Sequence, residues 1–340
     1  MPAAQRADLS DSTHSRQSDS LPTSRPRATS NVARFAWAAL CCNVAVVLWG
    51  AYVRATGSGA GCGNKWPACG GEVLGASART QTIIEFTHRM TSGIVLVMVA
   101  CLAVWCWRAT RKHDWARYSA LLAAVFLANE ALLGAALVLL NHVAGDRSSG
   151  RILFLCLHLG NTLLLLATLS LTAVWLSNRA GSFTFIPQWR QVGAIGVGLA
   201  ATMVTGITGA VAALADTLFP ATSLRSSLAQ DFSSSAPAVL RLRFLHPAAA
   251  IITACYVLWV IFRSATGRNR LSRTAIGLIS LVFLQIAVGL ANVLLLAPLW
   301  MQIVHLFVAD VLWIFLVLAS AELALEPANT RDAVGAFRVV

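Results

Sequence analysis

The chain has 340 residues, of which 57% are hydrophobic and only 12% are charged. An average soluble domain carries about 25% charged residues, so this composition excludes an ordinary soluble enzyme and indicates a chain surrounded mainly by lipid. The formal net charge of +12 does not call for nucleic acid as a partner, because basic residues collect on one side of membrane proteins.

Eight stretches are apolar over about the 20 residues that a helix needs to cross a bilayer. They predict an all-α integral membrane protein with eight transmembrane helices. The remaining ends, 1–32 and 327–340, are predicted to be cytoplasmic tails, the first of them disordered because it is rich in Ser, Thr, Arg and Pro. The predicted spans are 33–55, 83–107, 116–141, 152–177, 190–214, 242–263, 273–297 and 300–325.

The distribution of Lys and Arg predicts the orientation in the membrane. With both termini in the cytoplasm, the cytoplasmic segments hold most of the basic residues, as the positive-inside rule requires. We expect a bacterial plasma membrane. The mitochondrial inner membrane is less favoured, because Asp8, Asp11 and Asp19 are unusual in a transit peptide.

Two cysteines lie in the first loop, which this topology places on the outer side. Cys62 and Cys69 are therefore in an oxidising compartment, where disulfides form and persist. A disulfide between them is predicted, with a pair of free thiols as the alternative. The other six cysteines lie within apolar helices and are interpreted as small packing residues.

The second half of the chain repeats motifs of the first half. Each half has an even number of spans, so the copies enter the membrane from the same side and form parallel repeats. We therefore predict two four-helix bundles related by a pseudo-twofold axis, with units at 33–180 and 181–326. The paired segments are 56–59 with 205–209, 85–88 with 243–246, 129–134 with 285–289, and 157–159 with 304–306.

Four histidines, His88, His158, His246 and His305, lie at similar depths in the even-numbered helices. In an up-down-up-down bundle, the two even-numbered helices face each other diagonally. One histidine from each can bind the two axial positions of a haem iron. The pattern predicts that His88 and His158 form one site and that His246 and His305 form the other; polar packing contacts and zinc binding are the alternatives.

A carboxylate distinguishes the first half from the second. Glu85 lies one helical turn before His88, whereas Arg243 holds the equivalent place before His246. An intramembrane carboxylate is costly and by default indicates function. Glu85 is a candidate catalytic residue that takes a proton or stabilises a cation during oxidation, and pairing with a nearby arginine is the alternative. The difference suggests one catalytic and one electron-handling unit.

Four arginines near the histidine level are candidate contacts for haem propionates, because guanidinium groups bind carboxylates well. Extension of the side chain to the membrane interface is the alternative. These residues are Arg54, Arg89, Arg241 and Arg243.

Taken together, these motifs resemble the haem A synthase family over residues 35–325. The resemblance rests on segments 53–59, 62–69, 85–90, 216–220, 245–247 and 285–305. It implies that a C8 methyl group of haem O is oxidised to a formyl group, giving haem A for terminal oxidases. It also implies that Glu85 is required and that Cys62 and Cys69 form a disulfide that could be redox-active. The second cysteine pair that some members carry is absent from 215–241.

The resemblance assigns the substrate haem to His88 and His158 and a haem b cofactor to His246 and His305. Expected partners are haem O, the haem O synthase, terminal oxidase assembly, membrane lipid and a membrane electron acceptor such as a quinone; no nucleic acid is expected. Two other functions remain open at this point. They are a di-haem b electron-transfer protein and an assembly factor that delivers haem.

Overall fold

The computed structural model describes residues 27–70, 79–177, 183–185, 189–266 and 273–327. Most of the two predicted tails lies outside these residues. The described α-helices are α1 Arg27–Ala55, α2 Thr80–Ala109, α3 Trp115–Leu139, α4 Ser149–Ser177, α5 Trp189–Leu218, α6 Leu224–Asp231, α7 Ala238–Arg243, α8 Leu245–Thr266, α9 Arg273–Leu294 and α10 Leu299–Ala324.

Among the described residues, eight helices are long and apolar enough to cross a membrane, as predicted. They are Ser30–Ala55, Thr80–Ala109, Trp115–Leu139, Ser149–Ser177, Gly193–Leu218, Ala238–Ser264, Arg273–Leu294 and Leu299–Glu322. Large apolar side chains remain exposed along them, for example Ile94, Val97 and Ile252, which is expected where the neighbouring solvent is lipid. This is a polytopic membrane protein.

The first helix begins earlier than the composition predicted. Helix α1 starts at Arg27, inside the segment interpreted as a disordered tail, because Val32 and Ala36 are fully buried against the bundle. That burial stabilises the additional turns, since most helical stability in proteins comes from packing of an apolar face.

The sixth span is divided into two helices, where the sequence predicted a single helix at 242–263. Helix α7 ends at Arg243 and α8 begins at Leu245. The cause is Pro247: it has no N–H to donate to the Arg243 carbonyl oxygen, and its ring would clash with that oxygen in a continuous helix. In the first turn of α8 the same proline is tolerated.

The helices of the first half surround a common centre. Helix α1 packs against α2 and α4, and α3 packs against the same two helices. Helices α2 and α4 therefore lie diagonally opposite each other. In the second half, α5 and α9 each pack against α8 and α10, so α8 and α10 are also diagonal. Both halves thus have the same pattern of neighbouring helices. The pseudo-twofold relation between them, and the division into units at 33–180 and 181–326, remain predictions.

The two halves share part of their core. Trp313, Ile314 and Val317 of α10 belong to the apolar cluster built mainly from α1 to α4. The indole N–H of Trp313 donates to the carbonyl oxygen of Leu163 on α4 at 2.7 Å. Helix α10 is consequently buried against both halves.

A short antiparallel pairing is the exception to the all-α prediction in the described part. Strand β1, Phe183–Phe185, pairs with β2, Leu325–Pro327. It joins the connection between α4 and α5 to the end of α10.

Candidate functional site

The four histidines lie on α2, α4, α8 and α10, the diagonal helices of each half. Each follows the start of its span by six to nine residues, which at about 1.5 Å per residue places all of them roughly 9 to 14 Å from the same end of the bundle. That end also carries the Cys62–Cys69 loop and is called the disulfide end below. The predicted common depth is thus present.

In the second half, the two histidine rings face each other. The ring centroids of His246 and His305 are 6.2 Å apart, and the ring planes are inclined by 81°. Two imidazoles bonded at about 2 Å to opposite sides of one metal ion would have centroids about 6 Å apart. The residues present therefore fit a haem iron held between α8 and α10.

In the first half, His88 and His158 lie on the diagonal helices α2 and α4. Nδ1 of His158 lies 3.1 Å from Oε1 of Glu130 on α3. The Glu130 carboxylate also accepts hydrogen bonds from the Asn161 amide and the Thr162 hydroxyl. Glu130 is therefore in contact with a predicted iron ligand.

A glycine on the preceding span lies against each histidine. A Cβ on Gly209 would come within 2.9 Å of His246 Cε1, and one on Gly289 within 3.0 Å of His305 Cε1. Real Cβ atoms do not approach so closely without displacement of the neighbour. In the second half, the absence of a side chain at these positions lets the rings enter the space between the helices.

In the first half the relation holds for Gly50 but not for Gly134, whose Cβ would make an ordinary contact. A Cβ on Gly50 would lie 3.0 Å from His88 Cε1, and one on Gly134 would lie 3.9 Å from His158 Cε1. Gly50 approaches His88 as Gly209 approaches His246, so the two glycines hold equivalent positions. Gly59, which the repeat comparison had aligned there, faces Val143 instead.

Glu85 connects α2 to the loop at the disulfide end. It is buried, its Oε2 accepts a hydrogen bond from the Cys62 backbone N–H at 2.7 Å, and its Oε1 pairs with the Arg89 guanidinium. The Thr82 hydroxyl, one turn earlier, donates to the Gly61 carbonyl oxygen at 2.8 Å. The arginine partner that the sequence analysis left as an alternative is present. Glu85 therefore anchors the loop, in addition to its predicted catalytic role.

The predicted disulfide between Cys62 and Cys69 is present. Arg89 binds the same loop, donating to the carbonyl oxygens of Lys65 at 2.6 Å and Ala68 at 2.9 Å. One charged pair on α2 therefore holds both sides of a covalently closed loop beside the first histidine pair.

Arg54 joins the two halves at the disulfide end. Its guanidinium donates to the Ala213 carbonyl oxygen at 2.8 Å and to the Thr217 hydroxyl at 3.0 Å on α5. It also donates to Gln302 Oε1 on α10 at 3.2 Å. The proposed propionate contact stays a prediction, and in this structure the side chain binds protein groups.

The second-half arginines are also engaged with protein groups. Arg243 donates to Asp231 Oδ1 at 2.8 Å and to Asp216 Oδ1 at 2.9 Å, which joins α5, α6 and α7. Arg241 donates to the carbonyl oxygens of Ala236 at 3.0 Å and Ser234 at 2.7 Å. The buried Arg243 is thus neutralised by two carboxylates.

A groove of about 260 Å³ lies beside the first site, between α1 and α2. Its walls are Ala45, Val46, Trp49, Thr87 and Thr91. The groove reaches α2 at Thr87, the residue directly before His88. Within the described residues, no group of three or more His, Cys, Asp or Glu is placed to hold a metal ion.

Comparison with known families agrees with this arrangement. The family model of the COX15-CtaA cytochrome oxidase assembly proteins matches residues 33–317, which include all eight spans except the start of the first and the end of the last. The chain belongs to the COX15-CtaA family. The resemblance carried by the loop and histidine motifs is thereby confirmed.

Relatives of the chain carry two kinds of name. A protoheme IX farnesyltransferase of Thermus thermophilus is 42% identical over 310 residues, covering 91% of this chain and 51% of that protein. A heme A synthase of Halalkalibacterium halodurans is 40% identical over 128 residues, or 38% of this chain and 40% of that protein. A heme A synthase of Bacillus licheniformis is 34% identical over 169 residues, covering 48% and 53%. The chain spans about half the length of the curated relatives it matches.

Sequence reasoning missed the glycine contacts and the partner of His158 in this COX15-CtaA protein. Gly50 stands alone in an apolar helix, and that isolation was the available signal. Glu130 was visible as an intramembrane carboxylate, but its contact with His158 depends on how α3 packs against α4.

Proposed function

We propose that this protein is a haem A synthase, which oxidises the C8 methyl group of haem O to a formyl group. The observation that carries the proposal is the pair of histidines on diagonal helices in each half of a COX15-CtaA family member, with ring centroids 6.2 Å apart in the second half. Several relatives of the chain are named heme A synthase. The product, haem A, would serve terminal oxidases.

The two halves take different roles in this proposal. His88 and His158 hold the substrate, haem O, next to the loop that Glu85 and Arg89 anchor. His246 and His305, whose centroid separation fits an iron between them, hold a haem b cofactor. When bound, the haem b iron supplies a centre that accepts and releases single electrons.

Glu85 is the proposed proton acceptor at the substrate site. It lies on the face of α2 that carries His88, one turn nearer to the disulfide end. Its carboxylate accepts from the Cys62 N–H and pairs with the Arg89 guanidinium, and both contacts fix its place beside the loop. The four arginines, Arg54 and Arg89 among them, remain proposed propionate contacts.

We further propose a location and partners for the reaction. The protein resides in a bacterial plasma membrane with both termini in the cytoplasm, so the disulfide end faces outward. The oxidation of the methyl group removes four electrons, which leave to two molecules of a membrane acceptor such as a quinone, and water supplies the formyl oxygen. Haem O synthase supplies the substrate, and the assembly of terminal oxidases consumes the product.

A pigment analysis tests the proposal against its rivals. The full chain is produced in a bacterial host without a haem A synthase, with and without a source of haem O, and its pigments are extracted and separated. Haem A or a hydroxylated haem O, formed only with the haem O source, is the expected result. Haem b alone would support a di-haem electron carrier or a delivery factor.

Farnesyl transfer to haem b is the second candidate function, and the name of the Thermus thermophilus relative favours it. The same host distinguishes it when the haem O source is omitted. New haem O in that culture would establish farnesyl transfer and contradict the proposal.

A further inference from the structure

The glycine contacts align the third and seventh spans residue by residue. Gly134 lies against His158 and Gly289 lies against His305. Four residues before each glycine, on the same face of the helix, stand Glu130 and Gln285. The two halves thus place a carboxylate and an amide at equivalent positions.

Both side chains reach the histidine of the adjacent helix. Glu130 Oε1 lies 3.1 Å from Nδ1 of His158, a close charge contact that is not aligned as a hydrogen bond. Gln285 Nε2 lies 3.3 Å from Nδ1 and 3.4 Å from Nε2 of His305. The first half therefore has an anionic group beside its histidine, where the second half has a neutral one.

Polar neighbours hold the Glu130 carboxylate in place. Asn161, which itself accepts a hydrogen bond from Asn129 at 2.8 Å, donates to one oxygen of the carboxylate. The Thr162 hydroxyl donates to the other oxygen, the one nearest to His158. Gln285 has less support, because its Oε1 is buried and has no hydrogen-bond partner among the described residues.

The remaining two histidines have no charged partner at their Nδ1 atoms in the described structure. Nδ1 of His246 lies 3.1 Å from the Thr205 carbonyl oxygen, and Nδ1 of His88 is buried without a hydrogen-bond partner. Of the four predicted iron ligands, His158 is thus the one with a carboxylate in contact.

A carboxylate behind a metal-bound imidazole fixes the orientation of the ring and makes it a more basic ligand. Its negative charge also stabilises the more positive, oxidised state of a nearby iron, especially where burial weakens solvent screening. A neutral amide in the same place cannot supply that charge.

We propose that Glu130 is a positioning residue that lowers the reduction potential of the haem held by His88 and His158. Gln285 leaves the potential of the haem at His246 and His305 higher. The charge difference between Glu130 and Gln285 favours electron transfer from the first haem, which is oxidised, to the second, which is reduced. This inference rests on the proposed function, because it needs haem at both sites.

Reciprocal substitutions test the inference in the full chain loaded with both haems. Reduction potentials are measured by spectroelectrochemical titration, and the ligand field of the oxidised irons is measured by electron paramagnetic resonance. Glu130→Gln is expected to raise the potential of the first haem and to leave the second unchanged. Gln285→Glu is expected to lower the potential of the second haem, and Glu130→Asp, which keeps the charge, to stay near the wild-type value.

Haem retention is a second readout. Loss of a partner behind a metal ligand weakens metal binding by about 10- to 100-fold, so Glu130→Gln is expected to lose haem from the first site faster in a competition with apomyoglobin. If Glu130→Gln loses its first haem altogether, the reduction potential of the second haem in Gln285→Glu still tests whether a carboxylate at this position lowers the potential.

The outcomes separate this inference from the proposed function. Unchanged potentials in Glu130→Gln and Gln285→Glu, with both haems bound, would overturn the role of Glu130 and leave the proposed function standing. A wild-type protein that holds no haem between His88 and His158 would refute the proposed function itself.

Discussion

The Glu85 carboxylate and the Arg89 guanidinium pair across one turn of α2 and bind opposite sides of the same loop. Glu85 accepts from the Cys62 N–H, and Arg89 donates to the Lys65 and Ala68 carbonyl oxygens. The disulfide loop is thereby fixed directly beside His88. A residue that serves as an anchor and as a proton acceptor calls for variants that separate these roles.

Glu85→Gln is expected to lower the yield of haem A by about 100-fold or more, the usual range for loss of a general base. The amide still accepts from the Cys62 N–H, so haem content should stay near that of the wild type. The measurement is the ratio of haem A to haem O in extracted pigments. A normal haem A yield would rule out the catalytic role.

Arg89→Gln is the matched control for the anchoring role. It removes the guanidinium that binds the loop but leaves the Glu85 carboxylate in place. We expect a smaller loss of haem A than in Glu85→Gln, together with faster proteolysis of the loop. Equal losses in both variants, at equal haem content, would show that Glu85 acts through the loop alone.

Gly209→Ala is expected to reduce the haem bound at the second site about tenfold, as for other losses of support around a metal ligand. The added methyl group would meet His246 Cε1 at 2.9 Å and displace the ring. Gly196→Ala in the same helix is the control, because no atom lies within 4 Å of its Cβ. Soret absorbance per protein measures the result, and equal haem in both variants would contradict it.

Arg243→Ala is expected to destabilise the protein by about 3 to 5 kcal/mol, since it leaves the Asp216 and Asp231 carboxylates without their buried partner. Arg241→Ala, which loses only hydrogen bonds to carbonyl oxygens, should cost less. Thermal unfolding in detergent compares them. Haem loss from Arg243→Ala without destabilisation would instead indicate a propionate contact.

Asp310→Leu is expected to stabilise the protein. Asp310 is buried on α10 and its Oδ2 has no hydrogen-bond partner among the described residues, and such a group costs about 1 to 3 kcal/mol. Asp310 follows His305 by five residues, and in the first half Leu163 follows His158 by five residues. A leucine therefore suits the position. A lower melting temperature of the variant would mean that Asp310 has a partner in the membrane-embedded protein.

The spans and the depth of the histidines could be predicted from the sequence because both depend on local patterns. Hydropathy alone defines a bilayer-crossing segment, and helical rise converts the position of His88 or His305 into a depth. The disulfide followed from a loop of two cysteines on the oxidising side. Pro247 was visible, yet the predicted helix ran through it, because hydropathy does not register a missing N–H.

The remaining features depend on contacts between helices. Neither the approach of Gly50 to His88 nor that of Glu130 to His158 has a signature within one helix. The partners of Arg243 lie on α5 and α6, and α6 itself, a polar helix of eight residues, was predicted as part of a connection. Such features require the packing angles and registers that only the assembled bundle provides.

One measurement tests the central claim most directly. The purified full chain, carrying haem b at His246 and His305, is mixed with haem O and a soluble quinone, and the haem is then analysed by mass spectrometry. We expect the C8 methyl group of haem O to become a hydroxymethyl and then a formyl group, with no conversion in His88→Ala. Recovery of unchanged haem O from the wild-type protein, with haem b bound and the quinone present, would contradict the account.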